Sequence, residues 1–84
     1  MIVDTVRAFL VREFFRGESV EALGLDQPLV SSGLLDSIAT LKLVLFLERQ
    51  FDISIDSRDI VAGELETLHS IEGLVRHKTS AKSA

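Results

Sequence analysis

Apolar residues recur at helical spacing over most of the chain. Val3, Val6, Leu10 and Phe14 fall at steps of three and four, with Ile2 and Phe9 widening the stripe and Arg7, Arg12, Glu13 and Arg16 on the other faces. That spacing predicts a first helix over residues 2–16, with Gly17 as its C-terminal stop. A connection from Glu18 to Leu35 follows, rich in turn formers (Gly24, Asp26, Pro28, Ser31, Ser32, Gly33) but also in Val20, Leu23, Leu25, Leu29 and Val30. Its apolar content predicts a packed loop, with a short helical turn around Val20 to Leu23.

The second helix is predicted from Ser37 to about Gln50, capped by Asp36. It carries too many apolar residues for one face. At 100° per residue, Thr40, Leu43, Val44, Leu47 and Phe51 share one side, while Ile38, Leu41 and Leu45 form a second stripe nearly opposite. One stripe belongs to the core; the other is covered by a further element or left as a docking surface beside Ser37.

Phe51-Asp52-Ile53-Ser54-Ile55 alternates like a strand but has no partner strand, so it reads as an extended connector with Ile53 and Ile55 buried. Asp56 or Ser57 is placed to cap a short helix over Arg58 to Val61, ended by Gly63. Thr67 caps a last helix through Leu68, Ile71, Leu74 and Val75 to His77, and the small polar residues 78–84 are expected to fray. The predicted fold is all-α: an antiparallel bundle of three main helices plus a short fourth, one domain over residues 1–77 with a flexible tail at 78–84.

Composition narrows the function classes. The 84 residues are 46% hydrophobic with mean hydropathy +0.30, enough for a packed core in one small domain. The absence of cysteine excludes a disulfide framework, a thiolate metal site and a cysteine nucleophile, and fits a reducing cytoplasmic setting. No run approaches the length of a membrane span, and Met1-Ile2-Val3-Asp4 lacks the basic region, apolar run and cleavage site of a secretory leader, so a soluble, unexported protein is expected. The net charge of −4 argues against nucleic acid or anionic membranes as partners. The acidity is local: seven carboxylates face two arginines between Glu48 and Glu72.

Candidate chemistry centres on Ser37. At the first turn of a helix the backbone N–H groups lack intrahelical acceptors and carry the positive end of the macrodipole, so a phosphate esterified to this hydroxyl would sit in a favourable anion site. A serine hydrolase is a poor alternative, because Gly-x-Ser-x-Gly is absent and His69 and His77 both lie in the last helix region. His69 reads as a solvent-facing first-turn residue and His77 as a favourable cation at a helix C-terminus. Asp52, Asp56 and Asp59 have a calcium-like spacing without the central glycine and terminal glutamate of an EF-hand loop, and read as a solvated acidic face.

Gly33-Leu34-Leu35-Asp36-Ser37-Ile38 opening a helix after a long loop, then Phe51-Asp52-Ile53, a short helix and a capped last helix, resembles the acyl carrier and peptidyl carrier protein family over residues 2–77. In that family the serine of an Asp-Ser-Leu motif bears 4′-phosphopantetheine; Asp36-Ser37-Ile38 matches with Ile in place of Leu. The resemblance implies a non-enzymatic carrier. A phosphopantetheinyl transferase, using Mg²⁺ and coenzyme A, would direct the Ser37 hydroxyl onto the pyrophosphate and release 3′,5′-ADP. An AMP-forming acyl or aminoacyl ligase would load the arm's thiol, and downstream acyl-processing enzymes would use the thioester of a monomeric, cytoplasmic carrier.

Carriers of fatty acid synthesis usually place acidic residues just after the modified serine, whereas Ala39 and Lys42 stand here. A lysine repels a basic partner patch, so Ile38, Leu41, Lys42 and Leu45, with Asp59 adding charge, form the expected docking set for partners recognised mainly through apolar contact. The departure points to a specialised aminoacyl or secondary-metabolite pathway. Fatty acid synthesis, and an unmodified helical interaction module, remain the alternatives.

Overall fold

The computed structural model describes residues 2–14 and 24–83, the last three by backbone alone. Four helices account for most of them: α1 (Ile2–Phe14), α2 (Ser37–Phe51), α3 (Ser57–Val61) and α4 (Leu68–Ser83). The end of α1 expected at residue 16, the stop at Gly17 and the turn around Val20 to Leu23 lie outside the described residues.

α1, α2 and α4 each pack against the other two. Val6 and Leu10 of α1, Leu43 and Leu47 of α2, and Ile71 and Val75 of α4 are all completely buried, so one core holds the bundle. The loop before α2 contributes Leu29 and Leu35 to the same core, and the α3–α4 connection contributes Leu65. Phe46 stacks on Phe9, with centroids 4.0 Å apart and planes inclined by 14°, and Phe14 meets Phe9 edge-on at 5.9 Å.

Local chemistry sets the ends. α2 stops at Asp52, which adopts a left-handed conformation (φ 55°, ψ 54°) that aspartate tolerates better than bulky residues, and its N–H donates to the Glu48 carbonyl. The chain then runs without regular structure from Ile53 to Asp56, with Ile53 and Ile55 half-buried where full burial was expected. Glu48 holds this exit by accepting from the Ile55 N–H at 2.9 Å, which orders the segment without a partner strand.

α3 opens on a reciprocal box: the Asp59 N–H donates to Asp56, and the Asp56 N–H donates to Asp59 Oδ2 at 3.0 Å. Thr67 and Ser70 do the same for α4, the Ser70 N–H donating to Thr67 Oγ1 at 3.0 Å and the Thr67 N–H to Ser70 Oγ at 3.1 Å. The Asp52, Asp56 and Asp59 series is thus a C-cap and a capping pair. Each carboxylate-bearing position serves a helix end, which explains the spacing without a metal.

One boundary differs from the sequence reading. α4 does not end at His77 but continues to Ser83. Residues 78–83 contain no glycine or proline to stop a helix, Thr79 Oγ1 bonds back to the Val75 carbonyl at 2.9 Å, and Lys78 is drawn onto Asp59. His77 therefore lies within the helix rather than at its C-terminus.

Candidate functional site

The site is the junction of a braced loop and a long helix. In the loop, the Gly33 N–H donates to the Val30 carbonyl at 3.1 Å, and Gly33 takes φ 85°, a left-handed conformation that strains any residue with a Cβ. Ser32 Oγ donates to the Pro28 carbonyl at 2.6 Å, and the Leu35 N–H donates to the Leu29 carbonyl at 2.9 Å. Leu29 and Leu35 sink into the core while Leu34 stays exposed, so of the adjacent pair Leu34-Leu35 only the second seats the turn.

Asp36 then caps α2. Its backbone is extended (φ −79°, ψ −175°), and Oδ1 accepts from the Ala39 N–H at 2.7 Å. Ser37 is the first residue of α2 and is exposed. The Asp36 carboxylate is directed to Ala39, which leaves the N–H groups of Ser37 and Ile38 without intrahelical acceptors, and the first turn of α2 holds no acidic residue to compete for an anion. An open groove lies beside the hydroxyl, lined by Val30, Leu35, Thr40, Leu41 and Ile60. A phosphodiester with a long, partly apolar arm fits this arrangement: an exposed serine, an anion-favouring helix end and an apolar wall to one side.

The two stripes of α2 separate cleanly. Leu43, Val44 and Leu47 are buried, whereas Ile38, Leu41 and Leu45 are 67%, 58% and 49% exposed. Lys42 and Arg49 are exposed on the same outer face, and neither has a carboxylate within 4.0 Å among the described residues. Ala39 belongs to the inner face, being 8% exposed, which removes it from the surface compared above with acidic carriers. A second open groove between α1 and α2 is floored by Phe9, Leu45 and Phe46 and edged by Lys42 and Arg49.

Asp59 is not placed like the other docking candidates. It is half-buried, and its Oδ2 both closes the α3 capping box and lies 2.8 Å from Lys78 Nζ. With those bonds made, the carboxylate is a brace between α3 and α4 rather than a charge offered to a partner. His69 and His77 are exposed; His69 faces the loop, with Nδ1 3.6 Å from Asp26 Oδ1, and its N–H donates to the Leu25 carbonyl at 3.0 Å.

Glu66 is the residue that sequence reasoning missed, having counted it only as acidic charge. Its Oε1 accepts from the N–H groups of Val30 and Ser31, each at 3.0 Å, and its backbone carbonyl accepts from the Leu29 N–H at 2.7 Å. The Ser31 N–H above all, with Val30 adding to it, holds the carboxyl below the usual glutamate range against the opposing effect of partial desolvation. A contact across 36 positions leaves no local signature.

A family model described as "Phosphopantetheine attachment site" matches residues 10–77, most of the chain. The chain belongs to this family of carrier proteins. Among solved structures it is similar to the holo acyl carrier protein of Nitrosomonas europaea, determined in solution by NMR. The two are 34% identical with a TM-score of 0.76, covering 93% of this chain and 95% of that one. No curated protein matches the sequence. The carrier is not itself catalytic, and its cofactor is covalently attached 4′-phosphopantetheine; carrier proteins of this kind are modified by a phosphopantetheinyl transferase and interact with acyl-processing enzymes.

Proposed function

We propose that Ser37 is the attachment point of the 4′-phosphopantetheine arm, and that the chain is a stand-alone carrier of an acyl or aminoacyl group in a specialised, aminoacyl or secondary-metabolite pathway. The observation that carries the attachment is the exposed Ser37 as the first residue of α2, directly behind the Asp36 cap and inside the matched span. When bound, the arm supplies a terminal thiol for thioester chemistry that this cysteine-free chain lacks. Asp36 fixes the start of α2, Gly33 turns the loop into it, and the helix end favours the phosphate's charge.

The pathway reading rests on the outer face of α2. An apolar stripe carrying two cations and no acidic residue in its first turn suits partners gripped through Ile38, Leu41 and Leu45, with carboxylates opposite Lys42. An AMP-forming ligase that loads the arm is the partner this implies. The carrier acts as a single-domain cytoplasmic monomer in which α4 belongs to the domain through Ser83.

Intact-mass measurement after incubation with coenzyme A and a promiscuous transferase tests the attachment. The wild-type chain gains one phosphopantetheine and Ser37→Ala gains none. No gain on the wild-type chain, or a gain that survives Ser37→Ala, sinks the proposal. A panel of amino acids and fatty acids, offered to the modified protein with candidate ligases, then separates aminoacyl from fatty acyl cargo.

A further inference from the structure

We infer that Glu66 is a positioning residue for the modification of Ser37: its carboxylate holds the loop in the form that a transferase recognises. The inference rests on the Ser37 reading above. Glu66 is 29 residues beyond Ser37 in sequence, yet it fixes the loop from which α2 starts. Its backbone carbonyl takes the Leu29 N–H at 2.7 Å, and its carboxylate takes the next two N–H groups, of Val30 and Ser31, through Oε1 at 3.0 Å each and a second contact from Ser31 to Oε2 at 3.3 Å.

These three consecutive N–H groups belong to a segment with few other anchors. Val30 and Ser31 are exposed, so burial does little to hold them, and charged acceptors bind backbone N–H groups more strongly than neutral ones. Leu29 in turn accepts from Leu35, immediately before Asp36 and Ser37, and Val30 accepts from Gly33. Val30 and Leu35 also line the groove beside Ser37. The brace therefore reaches the site by two backbone bonds, and it shapes one wall of the groove. The lowered pKa of Glu66 agrees with a carboxylate used as an acceptor.

Without the brace, α2 and the core persist, because Leu29 and Leu35 stay buried and Asp36 still caps the helix. The loop then populates the recognised form only part of the time, which raises the apparent KM by the inverse of that fraction and leaves kcat in place. Glu66 touches neither coenzyme A nor the reacting hydroxyl, so a change in kcat is not expected.

The test is transferase kinetics on the full chain, with coenzyme A saturating and carrier concentration varied, alongside far-ultraviolet circular dichroism. Glu66→Met, of similar size but with no acceptor, raises KM for the carrier about tenfold at unchanged helix content and kcat, the size expected for losing charge-assisted hydrogen bonds. Glu66→Gln, which keeps an acceptor at the same reach, recovers part of the loss. A Met variant with KM within about twofold of wild type, or a loss confined to kcat, overturns the inference; so does a Gln variant as impaired as the Met one. Should Glu66→Met not fold, Glu66→Asp carries the test: it keeps the charge but withdraws it by one methylene, so its KM must rise, and a wild-type KM overturns the inference. Ser37→Ala, run in parallel, reports on the attachment site alone, and its failure to block the mass gain is a different result from any of these.

Discussion

Lys78 Nζ lies 2.8 Å from Asp59 Oδ2, and the two side chains are only 24% and 20% exposed. This pair ties α4 beyond His77 to the capping box of α3. Partial desolvation places it between an exposed ion pair and a buried one, so Lys78→Ala is expected to cost about 1–2 kcal/mol in chemical denaturation. Ending the chain at His77 should cost at least as much. A truncated chain as stable as the full one would show that the pair contributes nothing.

The two faces of α2 should respond differently to shortening. Leu47→Ala opens a cavity at a completely buried position and is expected to cost about 2–5 kcal/mol. Leu45→Ala, on the exposed stripe, should stay within about 0.5 kcal/mol of wild type and lower the rate of loading by the cognate ligase instead. Equal stability losses would mean that the outer stripe is covered in solution.

Glu66 also predicts a pH dependence with a definite sign. Its folded pKa is lowered by the Ser31 and Val30 N–H groups, and that of Asp56 is lowered by the Asp59 N–H and then by Arg58. A depressed folded pKa gives stability that is present above the unfolded value and lost as pH falls through the folded one. The gap in melting temperature between wild type and Glu66→Gln should therefore be constant near neutrality and shrink below about pH 4.3. A gap that widens on acidification would contradict the assignment.

Lys42→Glu is expected to improve turnover with enzymes of fatty acid synthesis that present basic surfaces, by about threefold in kcat/KM at low salt, with the gain fading as salt rises. Unchanged or poorer turnover would count against partner choice by this residue.

Much of the carrier was legible in the sequence because its signals are local. The Asp36 cap, the turn at Gly33, the two stripes of α2 and the Thr67 cap all act within a few residues, and the structure has each of them. Periodicity also separated Leu43 and Leu47 from Ile38, Leu41 and Leu45 without knowing which side was core. What it could not show were bonds between distant positions. Glu66 to Val30, and Lys78 to Asp59, join residues whose neighbours in sequence carry no trace of the contact. The same blindness misplaced the end of α4, since the residue that holds its extension is on another helix. Ala39 was misread for a geometric reason: it follows an exposed Ile38, but one further step of 100° turns it onto the core.

If the outer row of α2 is the docking surface proposed above, the division into a sunken row and an outer row makes the carrier's address separable from its architecture. Ile38, Leu41, Lys42 and Leu45 can be exchanged as a set, while Leu43, Val44 and Leu47 keep the bundle together. A lineage could thus redirect such a carrier from one enzyme to another by rewriting four side chains, with the cargo's tether and the scaffold beneath it left as they were.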